Sequence, residues 1–222
     1  MLISPALRFI MCAPLKMHRR FTTYAIDILN NIRGKNMNKL LLPDKVAIIN
    51  GGATGMGRAT ALIFAEEGCN CVIADVKEEE GKQTAAEASK KGKEAIFVKC
   101  DITDVNQIEA CVAQTVKKFG TVHILIGCAG GSVPRDRVIN PPKEGARLPR
   151  GVENTEEEYF DLMTNLNYKG HVFFCKEVVP YMKKQNYGKI VLISSLGVYN
   201  PPGPSVEYHG AKAGIIGLVY NL

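Results

Sequence analysis

No apolar run in this 222-residue chain approaches the eighteen or so residues that a membrane helix needs, so no span is expected. Seven cysteines (12, 69, 71, 100, 111, 128 and 175) are scattered and odd in number, and none forms a C-x-x-C pair. That argues for thiols in a reducing compartment rather than a disulfide framework or a thiolate metal site. His18, His123, His171 and His209 lack metal spacing, so no metal is expected. There is no fixed-period repeat and no low-complexity tract. Acid is scarce only at the start: residues 1–36 hold Arg8, Lys16, Arg19, Arg20, Arg33 and Lys35 against Asp27 alone. The net charge of +6 is therefore concentrated in a basic tail on a near-neutral body, which does not look like an electrostatic nucleic-acid binder.

What is present suits one soluble globular domain: 46% hydrophobic and 23% charged residues. The first 36 residues lack the charge-then-apolar order of a secretory signal, and Ser4 is their only serine. "MNKLLLPDKVAIIN", from Met37, reads as an ordinary domain start. The favoured expectation is upstream sequence, with a mitochondrial transit peptide as the alternative. Cytoplasmic location is expected in the first case and mitochondrial in the second. We assign residues 1–43 to a basic extension and 44–222 to one domain.

From Lys45 the chain alternates between short β-branched runs and helical segments. "KVAIIN" (45–50), "CVIAD" (71–75), "AIFVKCD" (95–101), "HILIGCAGG" (123–131) and "KIVLISS" (189–195) read as strands. "GRATALIFAEEG" (57–68), "KEEEGKQTAAEASKKG" (77–92) and "VNQIEACVAQTVKKFG" (105–120) read as helices ended by glycine. Residues 155–184 read as one long helix opened by Thr155, and 206–222 as a last one. Buried strands alternating with helices predict an α/β, doubly wound parallel sheet.

"INGGATGMGRA" (49–59) joins the first strand to the first helix. Its glycines permit a sharp turn and close approach of a pyrophosphate to the N–H groups of the helix N-terminus. Asp75 lies twenty residues beyond Gly55, at the end of the second strand, where it would accept hydrogen bonds from ribose hydroxyls. It would repel a 2′-phosphate, so NAD(H) is favoured over NADP(H). Lys77 nearby softens that preference.

Here the residues resemble the short-chain dehydrogenase/reductase family, whose TGxxxGxG signature appears as Asn50-Gly51-Gly52-Ala53-Thr54-Gly55-Met56-Gly57. The resemblance implies a Rossmann-like fold. It also implies a cofactor site formed by Gly51, Thr54, Gly55, Met56, Gly57, Asp75, Asp101 and Ile102. The family's N-N-A-G appears as Gly127-Cys128-Ala129-Gly130: both asparagines are missing, but Cys128, Ala129 and Gly130 would still approach the cofactor. Cys128 is a candidate oxidation site or, more blandly, a small buried thiol.

Tyr208 and Lys212 are four apart, on one face of a helix. A free phenol has a pKa near 10, and an adjacent ammonium favours its phenolate. Such a tyrosine can exchange a proton with an alcohol while hydride is transferred. Ser194 and Ser195 end a strand at the expected crevice. By the resemblance, Tyr208 is the general acid/base, Lys212 tunes it and binds the nicotinamide ribose, and Ser195 orients the substrate oxygen. Asn167, chosen over Asn165 because Gly170 completes its N-x-x-G, would hold a water in a proton relay. His209, next to Tyr208 on the helix, points away and receives no role.

The polar stretch 131–154 is longer than the family's usual connection. Arg135, Arg137, Lys143, Arg147 and Arg150 are candidates for holding an acidic substrate; a solvated flap is the simpler reading. By resemblance two further strands and a substrate-covering segment should follow Leu222, so the domain is expected to be C-terminally incomplete. The helices over 155–184 and 206–222 would pack in a homodimer or tetramer. The expected function is a hydride-transferring oxidoreductase acting on a secondary alcohol or ketone. The alternative is a catalytically incompetent dinucleotide-binding fragment or regulatory protein.

Overall fold

The β-branched runs become five strands: β1 (Val46–Asn50), β2 (Asn70–Asp75), β3 (Ala95–Lys99), β4 (Ile124–Gly127) and β5 (Lys189–Leu192). They form one fully parallel sheet in the order β3-β2-β1-β4-β5. Every residue of β1, the central strand, is buried. Such a strand cannot alternate apolar and polar residues, because helices cover both faces of the sheet. The computed structural model describes residues 40–132, 152–200 and 205–222. The five basic residues of the insert, and all of the extension before Leu40, lie outside them.

The helices are α1 (Gly55–Glu66), α2 (Glu78–Ser89), α3 (Val105–Phe119), α4 (Glu157–Thr164), α5 (Gly170–Lys184) and α6 (Val206–Asn221). On one face Ile48, Val72 and Leu125 pack with Ile108, Phe174, Val178 and Ile215 from α3, α5 and α6. On the other, Ala47, Ile49, Ile73 and Ile126 pack with Ala61 and Ala85 from α1 and α2. Strand order reverses between β1 and β4, and in an open parallel sheet the crevice beyond the strand ends at such a point receives ligands. No helix among the described residues is long and apolar enough to cross a membrane.

Several sequence expectations are corrected. The third, fourth and fifth strands stop at Lys99, Gly127 and Leu192, so Asp101, Cys128–Gly131 and Ser194–Ser195 lie in loops at the crevice. Thr155 is not a helix cap. Its N–H bonds Val152 O within a short 3₁₀ turn, its hydroxyl is buried without a partner among the described residues, and α4 opens two residues later. The long helix is interrupted: Asn165–Lys169 form a π turn between α4 and α5. Leu40–Pro43, assigned to the extension, are docked on the domain, with Leu41 and Leu42 N–H groups bonded to Glu67. Helix α3 matches its signals, with the Asp104 carboxylate accepting from Asn106 N–H at the start and Gly120 at φ +82° at the end.

Candidate active site

The glycine turn is built by collision. A Cβ on Gly51, whose φ is +76°, would lie 2.5 Å from Ala129 N, and one on Gly57 would strike the Gly51 carbonyl. Gly55, at φ +56°, has open space where its side chain would be. That space lies at the N-terminus of α1. The Thr54 side chain makes no capping bond there, and the first turn contains no acid. Helix α2, by contrast, opens on Glu78, Glu79 and Glu80. A helix N-terminus with exposed Thr54, Gly55 and Met56 and no carboxylate of its own suits a phosphate. The residues present therefore fit a dinucleotide.

Asp75 is fixed at both oxygens: Oδ2 accepts from Ala53 N–H at 3.0 Å and Oδ1 from Lys77 N–H at 3.1 Å. Each oxygen keeps a second lone pair for a ligand hydroxyl. Ala53 O in turn accepts from the Thr84 hydroxyl, tying the turn to α2. Asp101 is locked locally, its Oδ1 accepting from Thr103 N–H and hydroxyl. Ile102 is buried, with both its side chain and its carbonyl against Gly170.

The second half of the site gathers around Lys212. Its ammonium donates to Ile193 O at 3.0 Å and lies 6.0 Å from the Tyr208 ring centroid. Lys212 is 3% exposed, and burial pulls its pKa down to about 8. Ser194 donates to Lys212 O at 2.8 Å and so fastens α6 to the end of β5. Ser195 accepts from Gly197 N–H at 3.1 Å. One serine is thus structural, and the other keeps its hydroxyl proton for a ligand. His209 does have a contact: its ring lies edge-on to Tyr208, and a Cβ on Gly197 would lie 2.6 Å from its Nε2. It braces the turn that presents Ser195.

The π turn buries Asn167 completely. Its Oδ1 accepts from Gly131 N–H at 2.8 Å, and its Nδ2 donates to Gly131 O and Met163 O. A Cβ on Gly130 would lie 2.7 Å from Asn167 Oδ1 and 3.2 Å from Lys212 Nζ, so that glycine separates the two. Asn165 is only half-buried. Cys128 and Ala129 donate their N–H groups to Asn50 O, and burial pushes the Cys128 thiol up despite the nearby Lys212 charge. The structure thus brings Asn167, Lys212, Tyr208 and Gly130 together, sets Ser195 on the turn packed against His209, and places Asp75 with the glycine turn.

Sequence reasoning missed His171, one turn beyond Asn167 on the same helix. It is 1% exposed, and Nε2 lies 3.0 Å from Ala129 O. Burial, helped by the Lys212 charge, pushes its pKa down to about 4. The only available signal was a histidine in the apolar run "GHVFFC". Between pH 6.5 and 4 the unfolded chain takes up a proton that the native imidazole refuses. Stability should therefore fall as pH drops through that window, by about 3 kcal/mol in all. Urea midpoints at pH 7 and 4.5 should show the loss in wild type and a smaller loss in His171→Gln.

The sequence profile described as short chain dehydrogenase matches residues 45–222. A 3-oxoacyl-[acyl-carrier-protein] reductase of Thermotoga maritima is 36% identical over 179 residues, covering 80% of this chain and 66% of that protein. A tropinone reductase-like protein of Erythroxylum coca is 34% identical, covering 82% and 61%. Among solved structures, a 7α-hydroxysteroid dehydrogenase complexed with NADH and 7-oxo glycochenodeoxycholic acid superposes with a TM-score of 0.71 at 27% identity, covering 82% and 66%. NAD⁺-bound xylitol dehydrogenase gives 0.68 at 29%, covering 80% and 63%. The chain spans slightly under two thirds of the length of these relatives.

Proposed function

The chain belongs to the short chain dehydrogenase family, and from that premise we propose that it transfers hydride between NAD(H) and a secondary alcohol or its ketone. The single observation that carries this reading is the buried Lys212 ammonium beside Tyr208, next to Gly130 and Asn167.

The nicotinamide cofactor, when bound, supplies the hydride acceptor or donor. The rest is done by the chain. Gly51 and Gly57 let the turn close on Ala129 and on itself, Gly55 would leave room for the pyrophosphate at the head of α1, and Asp75 would hold the adenosine ribose. Cys128, Ala129 and Gly130 form the wall beside Lys212. Tyr208 takes the hydroxyl proton as an alcohol is oxidised and returns it when a ketone is reduced. The Lys212 charge stabilises the phenolate that forms, and Ser195 donates to the substrate oxygen. Asn167, held by three hydrogen bonds, keeps the Gly130–Gly131 wall at a fixed distance from Lys212. Exposed Phe160, Val206 and Tyr220 on α4 and α6 support a homodimer or tetramer.

The test is to mix the protein with NAD and a panel of secondary alcohols and follow nicotinamide absorbance. Binding without turnover would favour a dinucleotide-binding protein without catalysis. The preference for NAD has its own test. Asp75→Asn removes the carboxylate charge facing the ribose, and should move the NADPH-to-NADH affinity ratio toward NADPH by about tenfold. An unchanged ratio would show that Asp75 serves only the turn.

A further inference from the structure

Gly130 and Gly131 are consecutive glycines with φ of +124° and +151°. Two such residues have no side chains to hold them, so their conformation depends on neighbours. The neighbours are supplied by a single helix. Asn167 clamps Gly131 at both its N–H and its carbonyl. His171, four residues later, reaches the carbonyl just before the pair, Ala129 O, at 3.0 Å. A carbonyl only accepts, so the proton must be on Nε2, and the ring is a neutral donor.

The opposite ring nitrogen has an equally defined setting. Nδ1 is buried with no hydrogen-bond partner among the described residues. A Cβ on Gly127 would lie 2.7 Å from it. The imidazole therefore occupies the space that a side chain at residue 127 would fill. Asn50, the register partner of Gly127 across β1 and β4, also has a buried amide nitrogen without a partner among the described residues. The polar ring thus fills a place next to a glycine, at the expense of one unpaired nitrogen, and keeps one bond to the loop. An apolar side chain would fill the same place without that cost, so packing alone does not account for a histidine.

We propose that His171 is a positioning residue: its neutral imidazole substitutes for the side chain that Gly127 lacks and, through Ala129 O, fixes the Gly130–Gly131 wall against Lys212. The consequence for ligand binding rests on reading that wall as part of the cofactor site. His171 touches neither cofactor nor substrate in this role. It sets the distance between the wall and the ammonium.

Two measurements on the full chain test this. NADH affinity is titrated by fluorescence, and amide hydrogen exchange is followed over residues 128–131. His171→Leu fills the space but cannot donate to Ala129 O. It should weaken NADH binding about tenfold and speed exchange locally in that loop. His171→Gln, whose amide can reach the same carbonyl, should stay within about twofold of wild type in both measurements. Should His171→Leu fail to fold, His171→Met carries the same expectation. A leucine variant equal to wild type in both readouts overturns the proposal. So does faster exchange spread across the whole sheet, which would mean a general packing role. If wild type itself binds no NADH, the cofactor reading fails, and the exchange comparison still decides the role of His171.

Discussion

Tyr208→Phe protein is expected to bind NADH within about twofold of wild type and to oxidise alcohols about a thousandfold more slowly. The size of the loss follows from what is removed. Only the phenolic oxygen disappears; the ring that lies edge-on to His209 remains. A positioned acid/base contributes roughly 10²–10⁴ in rate, and phenylalanine can contribute none of it. The effect should fall on kcat rather than on cofactor affinity, because the dinucleotide contacts proposed here come from the glycine turn, Asp75 and the Gly130 wall. Stopped-flow turnover beside fluorescence titration separates the two quantities. A variant that retains more than about a tenth of wild-type turnover would remove Tyr208 from the chemistry.

The second large effect pairs a loss with a gain. Lys212→Met should abolish turnover to a similar degree, yet leave the melting temperature unchanged or higher. Lys212 is almost wholly buried, and its pKa is drawn from 10.5 down to about 8. The folded state therefore disfavours the charged form by about 3 kcal/mol at neutral pH. The sign can be checked independently: between pH 8 and 10.5 the unfolded chain holds the proton more tightly, so wild-type stability should rise with pH across that window. Methionine fills the same channel without a charge. Against that gain stands the loss of the bond to Ile193 O, worth about 1–3 kcal/mol if the carbonyl is left unpaired. The balance is near zero or favourable. A buried ammonium kept at such a cost is what a functional site requires and a merely structural one does not. A melting temperature several degrees lower in the variant would show that Lys212 is there for stability.

Much of this was legible in the sequence because it rests on local rules. Ile48, Ile49, Val72 and Ile73 declare buried parallel strands, since no alternation is needed when both faces are covered. The glycines at 51, 55 and 57 declare a turn that side chains would block at 51 and 57 and strain at 55. The Tyr208–Lys212 spacing follows from helix geometry alone. What was not legible depends on contacts between distant segments. "TEEE" looks like a helix start, but the 3₁₀ turn of Val152–Asn154 takes the Thr155 N–H first. Ser194 and Ser195 look equivalent until α6 packs close enough to claim one of them. His209, expected to point away from Tyr208, sets its ring edge-on to it, and the chain that follows β5 comes round to meet it. His171 sits in an apolar run, and only the placement of β4 beside α5 brings its ring to Gly127 and Ala129.

The π turn between α4 and α5 has one more consequence. Such a turn holds one residue more than the regular spiral would, and here the surplus falls at Asn165–Lys169, around Asn167 itself. Upstream, α4 is laid out to its own pattern; downstream, α5 presents His171 and Phe174 to the sheet. The two patterns agree only because of the surplus. Shortening the turn by one residue would swing everything after it about a quarter-turn out of phase.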